Sequence, residues 1–170
     1  MDKRGAYFFV IDAFIGASII FLSLIIIFTS HSLLPETSPT LRAVVDYTDY
    51  LMNTKIRQFQ GDYIKQLIND NNITNRDNTL LDQLTEFYYR NQTGENTLAM
   101  MASFTKEISK GMVPEQRGLA VYLNKSLVYN STPKPMNQSN LVLSSQKITF
   151  KRINETYIYG PIILEVRIWV

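Results

Sequence analysis

Residues 6–28 read AYFFVIDAFIGASIIFLSLIIIF, and Asp12 is the only charge among them. At 1.5 Å per helical residue this stretch reaches about 35 Å, enough to cross a hydrocarbon core of roughly 30 Å. Fifteen of its residues are Leu, Ile, Val or Phe. At about 0.5 kcal/mol each they favour insertion by about 7 kcal/mol, against about 3 kcal/mol for an Asp at mid-membrane. Asp12 stands near one end, where its cost is smaller, so insertion wins. Ser30-His31-Ser32 imitates a small-x-small signal-peptidase site. The apolar run is longer than the roughly 7–15 residues of a secretory signal, however, and a retained helix is the better reading. Lys3 and Arg4 precede the run and place the N-terminus in the cytoplasm, with everything after Phe28 outside.

The remaining 142 residues are polar in balance and suit one core. The expected organisation is a basic leader over 1–5, a transmembrane helix over 6–28, a linker over 29–38 and an extracellular domain over 39–170. A formal net charge of +2 gives no clustered basic face for nucleic acid. No cysteine excludes disulfide frameworks, thiolate metal sites and thiol catalysis. His31 is the only histidine, which excludes most imidazole metal sites, and it reads as a linker residue at the membrane edge.

Asn-x-Ser/Thr sequons begin at Asn72, Asn91, Asn124, Asn130, Asn137 and Asn154. With 13 Asn and 26 Ser plus Thr in 170 residues, chance gives about two. All six fall on the side expected to be outside, where N-glycans are added.

Pro35 and Pro39 interrupt the linker, and Ser38 is a good N-cap. Apolar residues at Leu41, Val44, Val45, Leu51, Met52, Ile56, Phe59, Tyr63, Ile64, Leu67 and Ile68 predict one amphipathic helix over 39–69, with Thr48 filling a slot. Further helices are expected over 79–90 and 96–110, the latter closed by Gly111. The period then changes. Residues 119–123 and 127–129 flank Asn124-Lys125-Ser126 as a hairpin, and 141–153 and 157–170 read as longer strands. In the last, Leu164, Val166, Ile168 and Val170 alternate with Ile163, Glu165, Arg167 and Trp169. The expected class is α+β: a transmembrane helix, amphipathic helices, then a small antiparallel sheet.

No motif points to catalysis, a cofactor or a metal. Asp70, Asn72 and Thr74 open like a calcium loop, but Asn75 and Leu81 stand where Gly and Glu are needed. Asp46 and Asp49 fall on the polar side of a helix and read as a solvated face rather than an acid–base pair. Asp12 is the exception, because a carboxylate in an apolar helix is expensive and needs a cation or a donor.

Lys3-Arg4-Gly5-Ala6, followed by Tyr7-Phe8-Phe9-Val10-Ile11-Asp12-Ala13-Phe14-Ile15-Gly16, resembles the N-terminus of archaeal type IV pilin-like proteins with class III, prepilin-type, signal sequences. Tyr159-Gly160-Pro161 and Glu165-Val166-Arg167-Ile168-Trp169 resemble their closing strand. The resemblance implies cleavage by a prepilin peptidase between Gly5 and Ala6, with the apolar helix retained. It implies membrane and other pilin-like subunits as partners, and a register-setting role for Asp12 among packed helices. The family acid is usually fifth in the mature chain; here Val10 is fifth and Asp12 seventh. This offset and the Pro35/Pro39 break point to a minor subunit. The expected function is therefore a non-catalytic, membrane-anchored pilin-like subunit of an archaeal surface filament or its assembly machinery. The alternative is a single-pass anchored extracellular binding or adhesion domain that does not polymerise.

Overall fold

The computed structural model describes the backbone over residues 3–32, 39–153 and 155–170, and side chains over 10–26, 39–153 and 155–170. The chain divides into two compact units, Met1–Ser38 and Pro39–Val170.

The first unit is built on one helix, α1 (Lys3–Ser32). Its large apolar side chains from Val10 to Ile26 are exposed, Phe14 at 76%, and they occupy every side of the helix. Ser18 and Ser23 return their hydroxyls to the carbonyls of Phe14 and Ile19, each at 2.8 Å. Both hydroxyls are thereby satisfied without water. Among the described residues no helix is long and apolar enough to cross a membrane. The part of α1 whose side chains are described, 10–26, covers about 25 Å at 1.5 Å per residue, short of a core of roughly 30 Å.

The second unit is an α+β layer pair. It contains α2 (Pro39–Asn53), a 3₁₀ turn (Ile56–Gln58), α3 (Asp62–Asn69), α4 (Leu80–Gln92) and α5 (Leu98–Ser109). The strands β1 (Gly118–Leu123), β2 (Ser126–Ser131), β3 (Val142–Arg152) and β4 (Ile158–Trp169) follow. All strand pairs are antiparallel, in the order β2-β1-β4-β3. The hairpin turn is tight because Asn124 and Lys125 both take positive φ, 47° and 68°, matching the twist of the strands.

The single helix expected over 39–69 is broken in two. Ile56 and Arg57 donate their backbone N–H to the carbonyls of Asn78 and Arg76, and Leu80 donates to Thr54, all at 2.9–3.0 Å. These bonds give the segment an extended partner in place of helical ones. Ile56 is fully buried there. Gly61 then restarts the helix as the N-cap of α3. A Cβ at Gly61 would stand 2.5 Å from Phe59 Cε1 and 2.7 Å from Glu107 Oε1, so the chain needs Gly to lie against its neighbours. The helix end at Asp70 is turned by Asn71 in the left-handed region, φ 57°.

The helices cover one face of the sheet. Leu119, Val121 and Leu123 of β1 and Ile162, Leu164, Val166 and Ile168 of β4 meet Val44, Leu51, Leu84, Phe87, Phe104 and Ile108 in one cluster. Phe87 and Phe104 pack edge to face at 5.7 Å. The Ser109 hydroxyl donates to the Thr105 carbonyl at 2.6 Å, so the Tyr47 hydroxyl donates to Ser109 at 2.7 Å. Burial raises the Tyr47 phenol well above its ordinary pKa, and the Ser109 bond offsets only part of this. Val170, grouped by alternation with the core residues, is 38% exposed because β4 ends at Trp169.

Trp169 is buried on the opposite face. Its indole N–H donates to the Lys134 carbonyl at 2.8 Å, so the β2–β3 connection closes over it. Gly118 pairs with it across the strands, and a Cβ there would stand 2.0 Å from Trp169 Cε2. Gly118→Ala is therefore expected to destabilise the protein by about 1–3 kcal/mol, which lowers Tm by about 5 °C or more. Trp169 is the only tryptophan, so its emission reports the change directly, with a red shift as the ring is displaced. An unchanged Tm and emission spectrum would contradict this packing.

Candidate functional site

Asp12 lies on α1 and is exposed among apolar neighbours. It has no ion-pair partner among the described residues. Lys3, Arg4, Gly5 and Ala6 lie on the same helix, with side chains outside the described residues, as is the side chain of His31. Pro35 and Ser38 of the linker also fall outside them.

The sequons occupy different settings. Asn124 sits in the hairpin turn, where its backbone N–H donates to the Ile163 carbonyl at 2.9 Å and its Oδ1 accepts from the Ile163 N–H at 2.8 Å. The ladder of β4 is thus continued by an exposed turn residue. Asn130 on β2 and Asn137 in a 3₁₀ turn are exposed. Asn72 and Asn91 are half-buried. The Asn72 carbonyl accepts from Arg90 at 3.2 Å, and Asn91 Oδ1 accepts from the Thr97 N–H at 3.3 Å. Asn154 lies outside the described residues.

Asp70, Asn72 and Thr74 form the turn after α3, where the N–H groups of Asn72 and Ile73 both bond the Leu67 carbonyl. This is a helix end folded back so that Ile73 is buried. Asp46 and Asp49 are exposed, and Asp46 pairs with Arg42 at 3.7 Å. Among the described residues no group of three His, Cys, Asp or Glu is arranged to hold a metal.

A cleft of about 780 Å³ opens between α4, the loop before it and the end of β3. Helix α4 is started by reciprocal capping. The Thr79 hydroxyl accepts from the Asp82 N–H, and Asp82 Oδ2 accepts from the Thr79 N–H, both at 3.1 Å. One side of the helix, Leu80, Leu84 and Phe87, is buried in the core. Asp82, Glu86, Tyr89 and Arg90, at helical spacing, line the cleft. Lys151 of β3 reaches Glu86 Oε2 at 2.7 Å, with side-chain exposures of only 13% and 22%. Asn78 Nδ2 donates to the same oxygen at 3.1 Å and to Gln83 Oε1 at 3.2 Å. The pair is partly desolvated, and a third group supports it, so it is held more firmly than an exposed pair. Arg90 is clamped by Glu95 at 2.7 Å and by the Asn72 carbonyl.

The aromatic part of the cleft is built by Tyr89 and Phe150. Tyr89 packs on Tyr159 with ring centres 4.9 Å apart. Burial, and then the neighbouring phenols of Tyr88, Tyr157 and Tyr89, raise the pKa of Tyr159. Phe150 is 56% exposed. It lies close over Gly160, whose φ of +139° and missing Cβ admit the ring; a Cβ there would be 2.9 Å from Phe150 Cδ1.

Of the cleft residues, motif reading touched only Thr74 and Asn75, as part of a failed calcium-loop pattern. Asp82, Glu86 and Arg90 fall four residues apart on α4, within the helix expected over 79–90. Lys151 stands 65 residues beyond Glu86, and only the β3 register brings them together. The arrangement offers hydrogen-bond donors, acceptors and an aromatic surface.

Set against known proteins, the chain matches no family model, no curated protein and no solved structure.

Proposed function

We propose that the chain is a non-catalytic, membrane-anchored, pilin-like subunit, of the minor kind, in an archaeal surface filament or its assembly machinery. The observation that carries this reading is α1. It is a 30-residue helix, apolar on all sides over 10–26, with one carboxylate and two serines that satisfy themselves. A helix apolar all round needs an apolar environment on every side. Lipid supplies it first. Neighbouring helices of the same kind supply it in a filament, where the same side chains exchange lipid for protein contacts.

The basic Lys3 and Arg4 before the helix support a cytoplasmic N-terminus. The second unit then faces outward. Exposed Asn124, Asn130 and Asn137 support N-glycans on that unit. Asp12 sets register: unpaired among helices it is costly, and paired with a cation or amine of a neighbour it is not. The partners are the membrane, other pilin-like subunits and a prepilin peptidase. The division of the chain after Ser38 favours a second reading, an anchored extracellular binding or adhesion domain that never polymerises.

Peptide mapping of the native protein by mass spectrometry tests the first reading. It predicts a mature start at Ala6, lost when Gly5 is substituted, and saccharide mass on the peptides of Asn124, Asn130 and Asn137. An intact Met1, or a start at His31 or beyond, contradicts pilin processing. For Asp12 the test is recovery in sheared surface filaments. Asp12→Ala is expected to lower it by about tenfold, as loss of roughly 1.4 kcal/mol per contact would do. Unchanged recovery contradicts the register role.

A further inference from the structure

We propose that the cleft between α4 and the end of β3 is a binding site for a neutral saccharide. Its volume of about 780 Å³ lies within the roughly 300–1,000 Å³ of small-ligand sites.

The charge around it cancels. Arg90, Lys151 and Arg152 face Asp82, Glu86 and Glu155. Lys151 and Glu86 neutralise each other at 2.7 Å, and Arg90 is committed to Glu95. An anionic ligand gains no net attraction here, and neither does a cationic one. What the cleft offers is short-range polarity. Glu86 uses only Oε2 and Asp82 only Oδ2 among the described residues, so each keeps a second acceptor oxygen. Lys151 directs three N–H groups from a fixed position and uses one on Glu86. Neighbouring hydroxyls of a sugar, each of which both donates and accepts, match acceptors and donors set side by side.

Phe150 supplies the complementary part. A phenyl ring left largely in solvent forgoes about 1.5–3 kcal/mol of burial. It lies against the backbone at Gly160, where the missing Cβ leaves room for the ring. Tyr89, braced on Tyr159, adds a second aromatic. Aromatic faces beside planar carboxylates and amides suit a pyranose, which has an apolar C–H face and a rim of hydroxyls. The same chemistry is found in the chain's own N-glycans and in glycans of another surface, and the test separates the two.

The full-length chain, made in a host without N-glycosylation and held in a zwitterionic detergent, is titrated with glucose, galactose, mannose, N-acetylglucosamine and their disaccharides. Backbone amide NMR is the readout. At least one saccharide is expected to shift amides within 75–90 and 149–153 saturably, with Kd in the range of about 1 mM. Phe150→Ala should weaken binding about tenfold while Trp169 emission is unchanged. The proposal is overturned if no saccharide shifts these amides up to about 20 mM. It is overturned equally if Phe150→Ala binds as well as the parent chain, or if only charged or apolar peptides bind. In the glycosylated native protein, shifts that appear only after enzymatic removal of N-glycans support the site and identify the occupant as the chain's own sugar. Shifts that are present before removal support the site and identify an external glycan.

Discussion

Strand β4 is the constraint on which the second unit depends. It is paired on both sides, with β1 and with β3, and Ile162, Leu164, Val166 and Ile168 are all fully buried against the helices. Each such side chain contributes about 2 kcal/mol relative to exposure. The strand leaves no freedom of register, because a slip by one residue would bring Glu165 and Arg167 into the core. That fixed register also places two aromatic rings outside the core. It sets Trp169 over Gly118 and Phe150 over Gly160, two aromatic rings each admitted by a glycine on the neighbouring strand.

Helix α4 works on two sides. Leu80, Leu84 and Phe87 complete the core, and Glu86 and Tyr89 meet β3 and β4 through Lys151 and Tyr159. The ion pair and the ring contact tie the end of the long hairpin to the helical layer. The cleft is therefore a consequence of how far β3 and β4 extend past β1, whose partners on β4 stop at Leu164. Its polar groups face the solvent from positions fixed by the core, the arrangement in which a surface can recognise a ligand without first ordering itself.

Much of this order was legible in the sequence. The change from a helical to an alternating period located the sheet, Gly111 marked the end of α5, and Asn124-Lys125 marked the hairpin turn. The break within 39–69 was not read, although Gly61 signalled it, because periodicity continues on both sides of the break and Ile56 remains a core residue. Trp169 alternates with the core residues of β4, as read, and stands on the opposite face of the sheet. Its burial depends on a loop folding over it, which alternation cannot report. The cleft was invisible for a similar reason. Glu86, Lys151 and Phe150 are ordinary residues in sequence, and only strand pairing gives them a common place.

The functional account depends on the first unit. On the proposed reading, α1 is retained for an apolar surrounding and the second unit is outside the cell. The absence of cysteine makes the most direct measurement simple, because Asn137→Cys introduces the only thiol in the chain. Intact cells carrying that variant are treated with a membrane-impermeant maleimide, and their membranes are then extracted with alkaline carbonate. The account predicts a labelled protein that stays with the membrane or with sheared filaments. A protein labelled only after lysis, or one released by carbonate into the soluble fraction, would contradict it.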